Sequence, residues 1–192
     1  MFGLKHRFRK VAFALFIGGV LVAPAGAQYR LTVNSDRLLN AQNEPQNWLH
    51  HHRTYDSQRY SPLTQINKTN IKDLKLQFMV GIDGITGTAG TTNLQGTPLV
   101  EDGFMYITDG WNNGYKVDVR SGNAGYIVWK WNSDMDRAYA AASGCCQRKN
   151  RGNAMIENLI IQSTQDGRMV ALDKVREGVS TLEQVLVLTS SH

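Results

Sequence analysis

The sequence predicts an all-β protein that contains the first two to three blades of a β-propeller. Strand-like runs follow one another from residue 74 onward, and turn-forming Gly and Asn residues separate them. Part of this pattern recurs at an offset of about 55 residues, as expected for successive propeller blades. A single β-sandwich with two similar hairpins would produce the same partial repeat, so both architectures are open at this point.

The first 27 residues predict a cleaved signal peptide. A basic stretch at 5–10 is followed by an apolar run at 11–22 and by the small residues Ala25-Gly26-Ala27. The apolar run has about a dozen residues, fewer than the roughly 20 that span a bilayer, and an uncleaved anchor is the alternative. We therefore expect export to the periplasm, no stable membrane span, and a mature chain that begins near Gln28.

Composition narrows the functional class. The chain of 192 residues has a formal net charge of +5, but four basic residues and no acidic ones lie in the leader. Without the leader the net charge falls to about +1, which removes the main support for a nucleic-acid partner. Two cysteines are too few for a disulfide-rich miniprotein, and a hydrophobic content of 42% is enough for a globular core.

The exported part divides into an N-terminal extension (28–73), the blades (74–173) and a C-terminal tail (174–192). In the extension, residues 34–40 and 67–74 predict short helical turns capped by Asn, Ser or Thr side chains. Strands are predicted at 74–80, 97–100, 104–108, 115–119, 126–131, 159–164 and 168–173. The tail departs from the blade pattern, and a closed propeller needs at least about four blades. We expect either a truncated chain or one that a partner completes.

Two further groups of residues have structural rather than catalytic interpretations. Three consecutive histidines at 50–52 predict a surface loop, because adjacent imidazoles rarely converge on one metal ion. Trp129 and Trp131 alternate along one predicted strand, and Trp111 precedes a turn. Aromatic residues in these positions are typical of packing between blades.

Cys145 and Cys146 are adjacent in the sequence and precede the cationic segment 148–151. Neighbouring Cα atoms lie about 3.8 Å apart, closer than in ordinary disulfides. A bond between these cysteines would form a small strained ring that closes no loop and adds almost no stability. Such a ring is a flat surface on which a planar cofactor can lie. Two free thiols, or a bond to another chain, are the alternatives, and a metal site is less favoured because no second Cys/His pair has ligand spacing.

The motif Cys145-Cys146-x-x-x-Asn150-Arg151-Gly152, followed by the strand turn at 164–173, resembles the periplasmic quinoprotein alcohol dehydrogenases. These methanol- and ethanol-dehydrogenase-like enzymes use pyrroloquinoline quinone (PQQ). Residues 47–67 resemble the block that precedes the first blade in this family, and residues 95–106 resemble its first-blade strand pair. The resemblance extends over residues 30–173.

This resemblance implies an eight-bladed propeller with PQQ held near its axis. The Cys145–Cys146 ring would contact one face of the quinone, and the guanidinium of Arg151 would contact its carboxylates or quinone oxygens. Gln95 lies where relatives usually carry a glutamate that bonds to PQQ, so it keeps hydrogen-bonding capacity and loses the negative charge. The family's Ca²⁺ or lanthanide ion takes ligands from later blades, and no matching positions occur before His192.

Two functional hypotheses follow. In the first, the chain is the N-terminal segment of a periplasmic quinoprotein dehydrogenase that oxidises small alcohols and passes electrons to a cytochrome c. Cys145, Cys146, Arg151 and Gln95 would then form part of the cofactor surface, and the catalytic and metal-binding residues would lie outside this chain. In the alternative, the chain is a catalytically inactive propeller fragment that acts only in binding or assembly. Under both hypotheses we expect this chain alone to be inactive.

Overall fold

The computed structural model describes residues 32–82, 93–136, 138–139, 142 and 149–175. The predicted signal peptide, Cys145 and Cys146, and all of the predicted tail beyond Val175 lie outside the described residues. The helical elements are α1 (Ser35–Leu39) and two 3₁₀ helices, Ala41–Asn43 and Ile71–Asp73. The strands are β1 (Asn93–Thr97), β2 (Leu99–Glu101), β3 (Phe104–Thr108), β4 (Gly114–Asp118), β5 (Tyr126–Trp131), β6 (Lys149–Gly152), β7 (Ala154–Ile156), β8 (Leu159–Ser163) and β9 (Met169–Asp173).

Two antiparallel sheets form successive blades. The first sheet has the strand order β2-β3-β4-β5, and the second has the order β7-β8-β9. Strands β8 and β9 each begin 55 residues after β3 and β4, and the β7–β8 hairpin has the same offset from β2–β3. The repeat that the sequence predicts is therefore present in the structure, and the two sheets are blades of a β-propeller.

The β2–β3 hairpin shows why the sequence turns where it does. Asp102 and Gly103 connect the strands with φ angles of 50° and 77°. Two consecutive positive φ values produce a turn whose twist matches that of the flanking strands, and Gly is favoured there. A Cβ atom on Gly103 would also lie 2.5 Å from Cγ of Arg120, so the turn has no room for a side chain at this position.

The hydrophobic core lies between the two sheets and the N-terminal extension. Trp129 of β5 is buried in it, and its indole N–H donates to the carbonyl oxygen of Lys174 at 3.4 Å. A Cβ atom on Gly114 would lie 2.9 Å from Cδ1 of Leu172, which shows how closely the sheets approach. Trp131 packs against the same core, as predicted for contacts between blades. The buried members are Val33, Leu38, Leu49, Leu99, Tyr106, Trp129, Met155, Ile160, Val170 and Leu172.

The N-terminal extension joins both blades. Val33 forms an antiparallel bridge to Glu157 in the β7–β8 turn, and Trp48 forms one to Val100 in β2. Helix α1 begins as predicted, with the side chain of Asn34 accepting a hydrogen bond from the N–H of Arg37 at 2.8 Å. The extension is therefore part of the packed structure and fixes the two sheets relative to each other.

Two sequence expectations differ from the structure. The helical turn at 67–74 is the short 3₁₀ helix Ile71–Asp73, and its preceding residue Asn70 makes no side-chain cap. The Asn70 side chain instead accepts from the N–H of Asn67 at 2.8 Å. Residues 74–80 are not a strand within the described part of the chain. Their alternation reflects packing: Phe78 and Val80 lie against Gly125, whereas Met79 is 82% exposed.

Among the described residues, no helix has the length and apolar character needed to cross a bilayer.

Candidate cofactor site

A short parallel strand pair joins the two blades at the segment that precedes each of them. Strand β1 leads into β2, strand β6 leads into β7, and the two pair in parallel with Leu94 opposite Asn150 and Thr97 opposite Gly152. Between these two pairs β1 has one residue more than β6, so Gln95 and Gly96 lie opposite Arg151. Such bulges redirect the side chains beside them. The structure therefore brings together Gln95 and Arg151, two of the four site residues that the sequence predicts.

The side chains of Gln95 and Arg151 are exposed. Neither forms a hydrogen bond with another side chain in the described part of the chain. An exposed amide and an exposed guanidinium on these paired strands can supply several N–H donors and one carbonyl acceptor to a ligand. The two remaining predicted site residues, Cys145 and Cys146, lie outside the described residues, so their pairing stays a prediction.

Glycines explain why the two strands approach so closely. Gly152 has a φ of +123°, and a Cβ atom there would lie 3.2 Å from the backbone N of Thr97. A Cβ atom on Gly96 would lie 3.3 Å from Cα of Gly152. Any larger residue at 152 would therefore need both an unfavourable backbone conformation and a wider strand separation. The glycine of the Asn150-Arg151-Gly152 motif therefore permits the close pairing of β1 and β6.

Asn150 attaches β6 to both blades. Its Nδ2 donates to Oδ1 of Asn112 and to the carbonyl oxygen of Ser163, each at 2.9 Å. Its Oδ1 accepts from the N–H of Gly152 at 2.8 Å. Asn112 belongs to the loop after β3, and Ser163 ends β8. Arg151 is therefore flanked by a residue that is fixed to the first blade, the second blade and its own strand.

A pocket of about 190 Å³ lies beside β6. Gln165 contributes an amide whose Nε2 donates to the carbonyl oxygen of Lys149 at 2.8 Å. Its Oε1 is buried and has no hydrogen-bond partner among the described residues. The pocket is lined by Asn112, Lys149, Asn150, Arg151, Gly152, Ser163, Thr164 and Gln165.

Asp109 organises the loop that carries Asn112, a role that the sequence analysis missed. Its Oδ1 accepts from the backbone N–H groups of Trp111 and Asn113 at 2.8 and 2.9 Å. Its Oδ2 accepts from Nδ2 of Asn113 and from Oη of Tyr115 at 2.8 and 2.9 Å. An Asp that precedes a Gly- and Asn-rich turn is the sequence signal that could have indicated this role.

The histidines at 50–52 form a polar loop. His50 Nε2 lies 2.8 Å from the carbonyl oxygen of Leu38, and His52 Nδ1 accepts from Nε of Arg59 at 2.7 Å. Desolvation, together with the positive charge of Arg59, lowers the pKa of His52. Within the described ranges no three His, Cys, Asp or Glu side chains are grouped as metal ligands.

The residues present fit an anionic, planar, polar cofactor such as PQQ. The Arg151 guanidinium can pair with a carboxylate or a quinone oxygen, and the side chain of Gln95 can donate or accept a hydrogen bond. Arg151 lines the pocket beside β6 together with Gln165, whose Oε1 has no hydrogen-bond partner among the described residues. The fit thus rests on the chemistry of the exposed donors, and Lys149 adds a second positive charge nearby.

Two successive antiparallel blades, one of four strands and one of three, with a polar site at the parallel strands that lead into them, define a β-propeller protein. Residues 48–179 match the family model described as "PQQ: Glucose/ethanol/alcohol dehydrogenase, beta-propeller domain". This chain therefore belongs to the PQQ-dependent alcohol dehydrogenase family.

Named relatives support the same assignment. The chain is 38% identical over 138 residues to "Alcohol dehydrogenase (quinone), dehydrogenase subunit" of Gluconacetobacter polyoxogenes. The aligned region covers 72% of this chain and 17% of that protein. The solved structure of the quinohemoprotein alcohol dehydrogenase ADHIIG from Pseudomonas putida HK5 superposes with a TM-score of 0.69 at 34% identity, covering 79% of this chain and 21% of that one. A europium-containing methanol dehydrogenase gives a TM-score of 0.59 at 28% identity, covering 74% and 24%. The chain thus spans about a fifth of the length of these relatives.

Proposed function

We propose that this chain supplies part of the PQQ-binding surface of a periplasmic alcohol dehydrogenase. The observation that carries the proposal is the parallel pairing of β1 and β6, which places Gln95 opposite Arg151 with both side chains exposed. Family membership and the alcohol dehydrogenase relatives support the choice of cofactor and substrate class. Bound PQQ would accept the two electrons and two protons that an alcohol loses when it becomes an aldehyde.

The role of each residue follows from its chemistry. Arg151 would bind a carboxylate or quinone oxygen through charge-assisted hydrogen bonds, which are stronger than neutral ones. Gln95 would hydrogen-bond from the neighbouring strand without the charge that a glutamate would bring. Cys145 and Cys146, joined as a disulfide, would provide a flat surface against one face of the cofactor. Export through the predicted signal peptide would place the chain in a compartment where such a bond persists.

The remaining steps belong to the proposed whole enzyme. A Ca²⁺ or lanthanide ion and the base that removes the alcohol proton would come from residues outside this chain. A cytochrome c would accept the electrons. This chain alone would therefore bind PQQ without oxidising alcohol.

A titration of the purified, non-reduced chain with PQQ tests this proposal, with quinone absorbance and tryptophan fluorescence as readouts. Arg151→Gln is expected to weaken binding by at least about tenfold, because it removes a charged hydrogen-bond donor. Cys145→Ala is expected to weaken binding as well. Arg120→Gln is the matched control, since Arg120 is an exposed arginine that pairs with Asp118 in a distant turn.

The alternative, a propeller fragment that only binds or assembles, makes the opposite prediction. Exposed apolar side chains favour it, since Leu74, Leu76 and Met79 are 59%, 75% and 82% exposed. If the wild-type chain takes up no PQQ, or if Arg151→Gln binds as tightly as wild type, the cofactor proposal is wrong. Self-association of the same sample would then support assembly.

A further inference from the structure

The side-chain amide of Asn150 is buried, and both its N–H groups and its oxygen form hydrogen bonds. The side chain is 5% exposed, both Nδ2 hydrogens have acceptors, and Oδ1 accepts from Gly152. Its two acceptors come from different blades, Asn112 from the first and Ser163 from the second. A single buried amide thus connects three backbone segments that are distant in the sequence.

The partners of Asn150 are themselves fixed. Asn112 is 1% exposed, and its Nδ2 contacts Sδ of Met135 at 3.3 Å. Its carbonyl oxygen accepts from Nε2 of Gln162, a fully buried side chain of β8. The acceptor Oδ1 of Asn112 therefore has a defined position. Because Asn150 donates to it, strand β6 is held in place relative to the loop that carries Asn112.

Consecutive residues of a strand point to opposite sides. In β6 the side chain of Asn150 points into the protein and is buried, whereas that of Arg151 is exposed. Fixing the Asn150 side chain therefore also fixes the direction in which Arg151 leaves the strand. The hydrogen bond from the N–H of Gly152 to Oδ1 of Asn150 bridges across Arg151 and restricts its backbone from both sides.

We propose that Asn150 is a positioning residue for Arg151, acting by attaching β6 to both blades so that the guanidinium is pre-oriented for the cofactor. This inference rests on the proposed PQQ-binding function. Pre-orientation favours binding because an arginine that is already directed loses less conformational entropy when it meets its ligand. Asn150 itself makes no contact with the cofactor in this proposal.

A double-mutant cycle on the full chain tests the proposal, with PQQ as the titrated ligand. Asn150→Ala is expected to weaken PQQ binding by about tenfold, the effect of losing the orientation of one charged hydrogen bond. In a chain that already carries Arg151→Gln, the Asn150→Ala change is expected to alter affinity by less than about twofold, because its effect passes through Arg151. Independent effects that multiply in the double variant would overturn the proposal.

Asn47→Ala is the matched control for general destabilisation. Asn47 is also a buried asparagine, 3% exposed, with hydrogen bonds to Glu44 and to the backbone of Asp102 in the extension and first hairpin. It is expected to lower the melting temperature without changing PQQ affinity, when binding is measured well below the unfolding transition. If Asn47→Ala weakens PQQ binding as much as Asn150→Ala does, Asn150 has only a structural role.

Hydrogen exchange separates failure of this inference from failure of the proposed function. Asn150→Ala is expected to accelerate amide exchange across 149–152, while β8 and β9 keep their protection. Wild-type chain that binds no PQQ would refute the proposed function, and exchange would still report whether Asn150 fixes β6. Unchanged protection at 149–152 in Asn150→Ala would refute the positioning role.

Discussion

Nζ of Lys174 lies 2.7 Å from Oε2 of Glu101, and this ion pair links the end of β9 to the end of β2. Both groups are buried, with Lys174 2% and Glu101 5% exposed. Oε1 of Glu101 also accepts from Nη1 of Arg37 at 2.6 Å, so one carboxylate neutralises two cations from different elements. Burial lowers the pKa of Lys174, and its hydrogen bond to Glu101 opposes that shift.

Glu101→Gln is therefore expected to destabilise the chain by about 3 kcal/mol, because it leaves the buried Lys174 without its counter-charge. Lys174→Met is expected to cost less, since Glu101 keeps Arg37 as a partner. The double variant is expected to recover part of the loss. Urea unfolding at neutral pH measures all three, and a Lys174→Met variant that is less stable than Glu101→Gln would contradict this account.

Asp109 is expected to stabilise the fold through its hydrogen bonds in the loop between β3 and β4. Its carboxylate accepts four hydrogen bonds and is 3% exposed. Asp109→Ala leaves several buried donors without this acceptor, and we expect a loss of about 3 kcal/mol in the free energy of unfolding. Tyr115→Phe removes one of the four donors and is expected to cost about 1 kcal/mol. Equal losses in the two variants, measured by urea unfolding, would argue against the network.

The blade strands could be predicted from the sequence because local signals agree there. In 104–118, period-two alternation and turn-forming residues specify the same hairpin, and β3 and β4 pair as expected. Residues 74–80 show the same alternation without forming a strand in the described structure. Period two reports which side chains face a packed surface, and Phe78 and Val80 do face one, but it does not report backbone pairing.

The site was predictable only in part. Gln95 and Arg151 follow from a motif resemblance, but the bulge that sets them opposite each other depends on pairing between segments far apart in the chain. The role of Asn150 depends on Asn112, which lies 38 positions earlier, and neither residue carries a local signal for that contact. Tertiary hydrogen bonds of this kind are decided by how the blades meet, so a linear pattern does not contain them.

Gly152→Ala tests the close approach of β1 and β6. The substitution places a Cβ atom 3.2 Å from the backbone N of Thr97 at a φ of +123°, so both strain and crowding oppose it. We expect a loss of about 2 kcal/mol in stability and weaker PQQ binding. Gly167→Ala is the matched control, because Gly167 also has a positive φ, +84°, but nothing lies within 4 Å of the added atom. It is expected to cost about 1 kcal/mol and to leave PQQ affinity unchanged.

Acid stability should depend on Asp118. Hydrogen bonds from the side chain and backbone of Arg120 lower the pKa of Asp118 to about 2 from its ordinary value of 3.8. A carboxyl group with a lower pKa in the folded state binds protons first in the unfolded state as the pH falls. Its stabilising contribution is therefore complete above about pH 4 and is lost between about pH 4 and pH 2.

Melting temperatures of wild type and Asp118→Asn, measured from about pH 6 to pH 2, check this dependence. The difference between the two curves is expected to be constant at the upper end and to shrink as the pH falls, because protonated Asp118 resembles asparagine. Glu44 and Asp166 also have lowered pKa values, Glu44 through its hydrogen bond with Arg37 and Asp166 through hydrogen bonds that outweigh its burial. Since both remain in Asp118→Asn, their contribution cancels in the difference. A difference that stays constant down to pH 2 would show that the Arg120–Asp118 pair does not stabilise the fold.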